Sequence, residues 1–258
     1  MILGAQFFTL REQCQTLEGI SESLARVADI GYTTVQISGT CEYDPQWLAE
    51  ELKKNGLRCV ITHSSFEKLK EQTAQVIADH EVLGCDYIGL GIGPNLLKDM
   101  ADVESVVDLA HTAGAQIAAA GKTLMYHNHN CEFRRDCTAA DGSLITRLEY
   151  IIERVPANEL GFTLDTYWVQ AGGADVVKTI GMLGDRIPCV HLKDMNVEGF
   201  EQRMAPVGYG NLNWDSILPA LEMTCAEYAL VEQDMTYGED PFECLRKSYE
   251  FLSALGLK

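Results

Sequence analysis

The stretch Met125-Tyr126-His127-Asn128-His129-Asn130-Cys131-Glu132-Phe133 is an apolar run that breaks, within a few residues, into three groups able to bind a metal or move a proton. Side chains alternate faces along a strand, so a strand over 122–128 turns His127 and His129 to the same side. Three later runs close in the same manner: Leu160-Gly-Phe-Thr-Leu-Asp165, Ile187-Pro-Cys-Val-His191 and Tyr228-Ala-Leu-Val-Glu232. Each is a short apolar stretch ended by a metal-ligating residue type. One histidine after a strand is usually a loop residue, but four such endings in consecutive units point to a convergent site.

Working outward, further strands are predicted over 2–8, 33–38, 58–64 and 86–91, with helical patterns between them. Leu17, Ile20, Leu24, Val27 and Ala28 fall on one helical face. Asp44-Pro45 supplies an N-cap followed by proline at the first helical position. The spacing predicts helices over 102–120 and 174–183, and a helix capped by Asp141 that carries Leu144, Ile145, Leu148 and Ile151. A polar, glycine-bearing loop is expected over 195–213. Asp240-Pro241-Phe-Glu243 has the form of a capping box. Eight such βα units in about 250 residues match a closed (β/α)8 TIM barrel, one domain spanning 1–258. An open doubly wound sheet would want a glycine-rich phosphate turn after its first strand, and Phe7-Phe-Thr-Leu-Arg11 has none. Gly91-Ile-Gly93-Pro94 lacks the rest of a nucleotide fingerprint and reads as a tight βα turn.

The 258 residues are 47% hydrophobic, enough for a large core, and carry a formal charge of −18. That charge disfavours nucleic acid as a partner, because binding a phosphate backbone relies on Lys and Arg releasing counterions. The start Met1-Ile-Leu-Gly-Ala lacks the basic region and cleavage site of a secretory signal, and no apolar run approaches membrane-spanning length. A cytoplasmic protein with no membrane partner is expected. Nine cysteines without a C-x-x-C pair indicate neither a disulfide framework nor a structural zinc site.

In such a barrel the active site lies at the C-terminal ends of the strands, where His63, His127, His129, Asp165, His191, Glu232 and Asp234 all fall. Parity adds Lys193, which shares a face with His191. Carboxylate oxygen mixed with imidazole nitrogen suits Mn2+, Zn2+, Co2+ or Mg2+, and the mixture leans toward Mn2+. Each residue also has an ordinary reading. Asp165 could cap a helix, His191 and His63 could be hydrogen-bonded barrel histidines, Lys193 a surface lysine, Trp168 simple packing, and Arg203 a solvated loop residue.

Taken in order, Tyr126-His-Asn-His129 with Glu132-Phe133, Leu164-Asp-Thr-Tyr-Trp168, Val190-His-Leu-Lys-Asp194 and Val231-Glu-Gln-Asp234 resemble the xylose-isomerase-like barrel superfamily. The nearest branch is that of sugar phosphate isomerases/epimerases, with inosose dehydratases and isomerases, and the likeness spans nearly the whole chain. The resemblance implies a divalent metal on His127, Asp165, His191 and Glu232, and proton transfer beside the carbonyl of a sugar, keto-sugar or cyclitol through an enediolate. His127 stands where many relatives carry glutamate, and Trp168 where they often carry histidine. The first change puts a symmetrical pair of carboxylate bases in doubt, so Glu132 and His129 join Glu232 as the acid/base candidates. His63, Trp168, Lys193 and Arg203 are the substrate-binding candidates.

The expectation is an isomerase or epimerase acting on a non-phosphorylated polyhydroxy ketone or aldehyde. A keto-sugar or inosose dehydratase on the same metal site, and a non-catalytic sugar-binding barrel, stand as alternatives. Phosphodiester cleavage would want a multi-metal cluster and a basic groove, which this composition does not favour. Assembly into a homo-oligomer is left open.

Overall fold

Polar strand ends and helix caps divide the chain into alternating units, and the computed structural model, which describes residues 1–91 and 97–258, realises them in order. The strands are β1 (Ile2–Gln6), β2 (Thr34–Ile37), β3 (Arg58–Ser65), β4 (Tyr87–Gly91), β5 (Thr123–His127), β6 (Arg135–Thr138), β7 (Leu144–Thr146), β8 (Gly161–Asp165), β9 (Cys189–Leu192), β10 (Asp194–Glu198), β11 (Glu201–Ala205) and β12 (Tyr228–Val231). Eight of them close a parallel barrel in the order β1-β12-β9-β8-β5-β4-β3-β2. This is the (β/α)8 TIM barrel that the sequence predicts. Register is continuous around the side that matters most, with His127 opposite Thr163, Asp165 opposite His191, and His191 opposite Leu230.

The main helices are α1 (Leu17–Ile30), α2 (Pro45–Lys54), α3 (Phe66–Glu71), α4 (Thr73–Val82), α5 (Met100–Leu109), α6 (Ala115–Ala119), α7 (Arg147–Arg154), α8 (Thr166–Ala171), α9 (Val176–Leu183), α10 (Trp214–Glu222) and α11 (Pro241–Ala254). Thr16 caps α1 by accepting from the Gly19 amide, and the expected stripe of Ile20, Leu24 and Val27 is buried. Each such side chain contributes roughly 1.5–3 kcal/mol, more than the ~1 kcal/mol of a cap, so burial of the stripe dominates. Asp44 caps α2, with Pro45 in the first turn, as expected.

Strand alternation separates two apolar regions. Val60, Ile61, Met125, Cys189, Tyr228 and Leu230 fill the barrel interior. The opposite faces, Tyr126 and Phe162 among them, pack outward into the larger core beneath the helices. The interior plug closes the lower part of the barrel, and the buried imidazoles and carboxylates of the barrel strands gather at its C-terminal mouth.

Several local expectations change. The helix expected over 102–120 is α5 and α6 joined by a π-helical turn at Ala110–Gly114. Asp141 does not cap a helix: its carboxylate accepts from the Ser143 amide in the turn between β6 and β7. Thr146 caps α7 instead, and with Glu149 forms a reciprocal capping box. No such box forms at Asp240, which accepts from Phe242 N while Glu243 pairs with Arg246. The helical pattern expected over 174–183 is preceded by the separate α8. The loop expected over 195–213 begins as an antiparallel hairpin of β10 and β11, turned at Gly199. Of the Gly91-Ile-Gly93-Pro94 turn, residues 92–94 lie outside the described residues.

Candidate metal centre

The C-terminal ends of β5, β8, β9 and β12 bring His127, Asp165, His191 and Glu232 together. All four are buried, with one ligand atom from each lying within 4.8 Å of the others. Three of the four side chains are held by one atom and open at another. Asp165 Oδ1 accepts from the Trp168 amide at 2.9 Å and so caps α8, while Oδ2 accepts no hydrogen bond. Glu232 Oε1 accepts from Gln6 Nε2 at 2.7 Å, leaving Oε2 open. His191 Nε2 lies 2.6 Å from Gln36 Oε1, which puts the proton on Nε2 and a lone pair on Nδ1. That Nδ1 faces Glu232 Oε2 at 3.0 Å and Asp165 Oδ2 at 3.8 Å. His127 Nδ1 is also buried without a partner.

Lone pairs of nitrogen and two carboxylate oxygens face one another at these distances only with positive charge beside them; the Lys193 ammonium reaches the two oxygens, at 2.7 and 3.0 Å, and leaves Nδ1 of both imidazoles without a partner. Buried polar groups are otherwise nearly always paired. The donor set, two imidazoles and two carboxylates, is one that divalent first-row metals accept. These residues therefore fit a divalent ion. Gln6 and Gln36 serve as the outer hydrogen-bond partners that such ligands normally have.

Lys193 supplies a positive charge from within the protein. Its side chain is fully buried, and Nζ lies 2.7 Å from Glu232 Oε2, 3.0 Å from Asp165 Oδ2 and 3.0 Å from Asp234 Oδ1. Burial alone would depress the ammonium pKa, but the carboxylates of Asp165, Glu232 and Asp234 outweigh it and hold it above the usual lysine value. Burial raises the Asp165 carboxyl to about 6 against the pull of Lys193. Glu232 is also opposed by burial, yet the Lys193 ammonium holds it well below its ordinary value. The imidazoles of His63 (to about 3), His127 and His129 are all depressed, chiefly by burial, and so are neutral at pH 7 with lone pairs available.

Above the four residues opens a cavity of ≈ 400 Å³ lined in part by Gln6, His63, His127, His129, Lys193, Glu232 and Asp234. The His63 ring lies across β4 because position 89 is glycine; a Cβ there would collide with the ring and with the Thr62 carbonyl. His63 Nδ1 is 3.3 Å from Ser38 Oγ, and its Nε2 is buried without a partner. The His129 ring packs 4.7 Å from that of His127 and 5.5 Å from that of Trp168, over which Lys193 Nζ sits at 5.4 Å.

Two expected residues are not brought to this point. Glu132 is fully buried against the outward-facing Tyr126, accepting from its hydroxyl at 2.8 Å, from the His129 amide at 3.0 Å and from Cys131 Sγ at 3.2 Å. The 3-10 turn at Cys131–Phe133 carries it behind the barrel wall, away from the mouth. Arg203 stands on β11, paired with Glu198 and stacked on Tyr237, beside a different groove. The sequence reading missed Gln6, Gln36 and Asn128, whose Oδ1 accepts from the Asp165 amide at 2.9 Å. The two glutamines sit at inward-facing ends of β1 and β2, and the parity used for His127 would have found them.

Residues 24–255 match the family model for the xylose isomerase-like TIM barrel. An inosose dehydratase of Geobacillus kaustophilus (strain HTA426) is 25% identical over 204 residues, 69% of this chain. The match spans 63% of that relative's length, somewhat under two thirds. A sugar phosphate isomerase/epimerase from Parabacteroides distasonis ATCC 8503 superposes with a TM-score of 0.81 at 22% identity, covering 98% of this chain and 94% of that one. The IOLI protein, whose crystal structure holds a zinc atom, does so with a TM-score of 0.72 at 16% identity, covering 99% and 98%. Similarity to these two structures is one of fold. Among the described residues, no helix is long and apolar enough to cross a membrane.

Proposed function

The chain belongs to the xylose isomerase-like TIM barrel family, and from that premise we propose that it is a metal-dependent isomerase or epimerase acting on a non-phosphorylated sugar or keto-sugar. One observation carries the reading: His127, Asp165, His191 and Glu232 each leave one buried polar atom without a hydrogen-bond partner, and the four residues converge on one point. A divalent ion held there, manganese by the balance of imidazole and carboxylate, would polarise the substrate carbonyl and acidify the adjacent C–H.

The remaining work falls to side chains of the cavity. His129, neutral at pH 7, takes the proton from that carbon at Nδ1 or Nε2 and, now an imidazolium, returns it to the neighbouring carbon, while Glu232 faces the same cavity. The enediolate that results bears negative charge on oxygen, which the Lys193 ammonium, itself in the cavity wall, meets with a charge-assisted hydrogen bond. His63 Nε2, buried and unpartnered, donates to or accepts from a substrate hydroxyl. Trp168 backs His129 as an apolar wall. Glu132 acts through His129, whose backbone amide it holds.

A dehydratase on the same site is the second reading, favoured by the inosose dehydratase relative. In it the first proton abstraction is the same, and the proton taken by His129 passes to the hydroxyl on the next carbon, whose C–O bond breaks to release water as a C=C bond forms. Incubation with a panel of keto-sugars and inososes in D2O, followed by NMR, tests both. Deuterium at the carbon beside the carbonyl with an isomeric product supports the first reading, and an unsaturated or dehydrated product supports the second. Binding with no exchange in any substrate would leave a sugar-binding barrel and sink the enzyme reading.

A further inference from the structure

We propose that Lys193 sets the ion affinity of this centre by competing for its ligand oxygens, and that Asp234 is the carboxylate that receives the ammonium when an ion binds. The inference rests on reading His127, Asp165, His191 and Glu232 as a metal site. The two oxygens nearest Lys193 Nζ, at 2.7 and 3.0 Å, are Glu232 Oε2 and Asp165 Oδ2. These are the same two carboxylate atoms that accept no hydrogen bond from the rest of the protein.

A metal ion sits ~2.0–2.2 Å from a carboxylate oxygen, so an ammonium still in contact with that oxygen would lie within about 5 Å of it. Like charges that close repel strongly in a buried, weakly screened site. One of the two cations must give way. The lysine is the one built to move, since it is a compact charge on a flexible four-carbon stem. Its backbone stays fixed, because the Lys193 amide donates to Thr166 Oγ1 at 3.0 Å and that hydroxyl donates back to the Lys193 carbonyl at 2.8 Å. Its destination is in place, because Nζ already touches both oxygens of Asp234, at 3.0 and 3.2 Å. Asp234 lines the cavity, so the displaced ammonium remains where a substrate oxygen would meet it.

The test measures Mn2+ affinity by competition with a chromophoric chelator, with no turnover required. Lys193→Met removes the charge, and Lys193→Gln removes it while keeping a polar head in case the methionine variant folds poorly. Both variants are expected to bind Mn2+ at least about tenfold more tightly than the parent protein. Asp234→Asn is expected to weaken binding in the parent and to have a smaller effect in the Lys193→Gln background, since only the former has an ammonium to rehouse. Equal or weaker binding in both lysine variants overturns the inference while the metal reading stands. Failure of every protein, parent included, to bind Mn2+, Zn2+ or Co2+ overturns both.

Discussion

Asp165 and Asp194 are both fully buried carboxylates at the C-terminal rim of the same barrel, yet the protein treats them in opposite ways. Asp194 accepts from five donors: the amides of Met195, Gly208, Gly210 and Leu212 and the Trp214 indole, at 2.8 to 3.2 Å. Gly210 is required there, because a Cβ would collide with the carboxylate itself. The Asp165 carboxylate accepts one amide, that of Trp168 at Oδ1, and leaves Oδ2 facing other ligand atoms and the Lys193 ammonium. The histidines divide in the same way. His80 Nδ1 donates to the Val76 carbonyl at 2.7 Å and its Nε2 meets Thr62 Oγ1 at 2.8 Å, while Nδ1 of His127 and of His191 are unpartnered. A buried polar group satisfied by several fixed donors is architecture. At the mouth, the open oxygens meet only the Lys193 ammonium and the open imidazole nitrogens meet no donor.

The largest expected effect tests the open side. Asp165→Asn keeps an oxygen to cap α8 but removes the charge on Oδ2. Turnover should fall by more than the roughly 10–100-fold typical of an outer-shell partner, and Mn2+ binding should be lost with it. Stability should not fall. Burial lifts the Asp165 carboxyl to about 6, so its charge is held at a cost that a neutral amide removes. Steady-state kinetics and urea unfolding on the same variant decide the matter. A variant that keeps its activity, or loses activity only because it unfolds, breaks the contrast.

Asp194→Ala tests the closed side and should do the reverse. Five donors lose their acceptor, and the loop over 206–214 that folds around it loses its centre. A loss of roughly 3–5 kcal/mol is expected from stranding buried donors and breaking such a network, seen as a lower urea midpoint. Mn2+ affinity measured below that midpoint should change little. A stable Asp194→Ala protein would mean that the loop is held by packing instead.

The same division explains what was legible beforehand. The eight barrel units and the four converging residues could be read because an apolar strand ending in a charged or imidazole group is a conspicuous pattern with fixed parity. Gln6 and Gln36 face inward by the same rule, but an uncharged polar residue at a strand end carries no such flag. The β6–β7 hairpin was hidden because Leu144, Ile145, Leu148 and Ile151 also satisfy a helical period. The Thr146-x-x-Glu149 capping box, legible in the sequence, outweighs Asp141 as the start of α7. Glu132 was offered as an acid/base to make up for the glutamate that His127 replaces, whereas the 3-10 turn sends it behind Tyr126.

The smallest effect concerns His80, the closed histidine, and is read in pH. Burial depresses its imidazole to about 4 from the ordinary 6.5. Between those values the unfolded chain holds the proton and the folded chain does not, so stability must fall as pH drops from 6.5 toward 4 and level off below. The span corresponds to on the order of 3 kcal/mol for this group. His63, His127 and His129 are depressed too and add to the slope, so the informative quantity is the difference between the parent and His80→Gln. The glutamine can donate to the Val76 carbonyl and accept from Thr62 but does not titrate. Urea unfolding at pH 7.0 and 4.5 should show a shallower pH dependence in the variant. Identical slopes would mean that His80 is protonated in the folded state and that its two hydrogen bonds do not fix it as neutral. The contrast with His191 would then rest on the carboxylates alone.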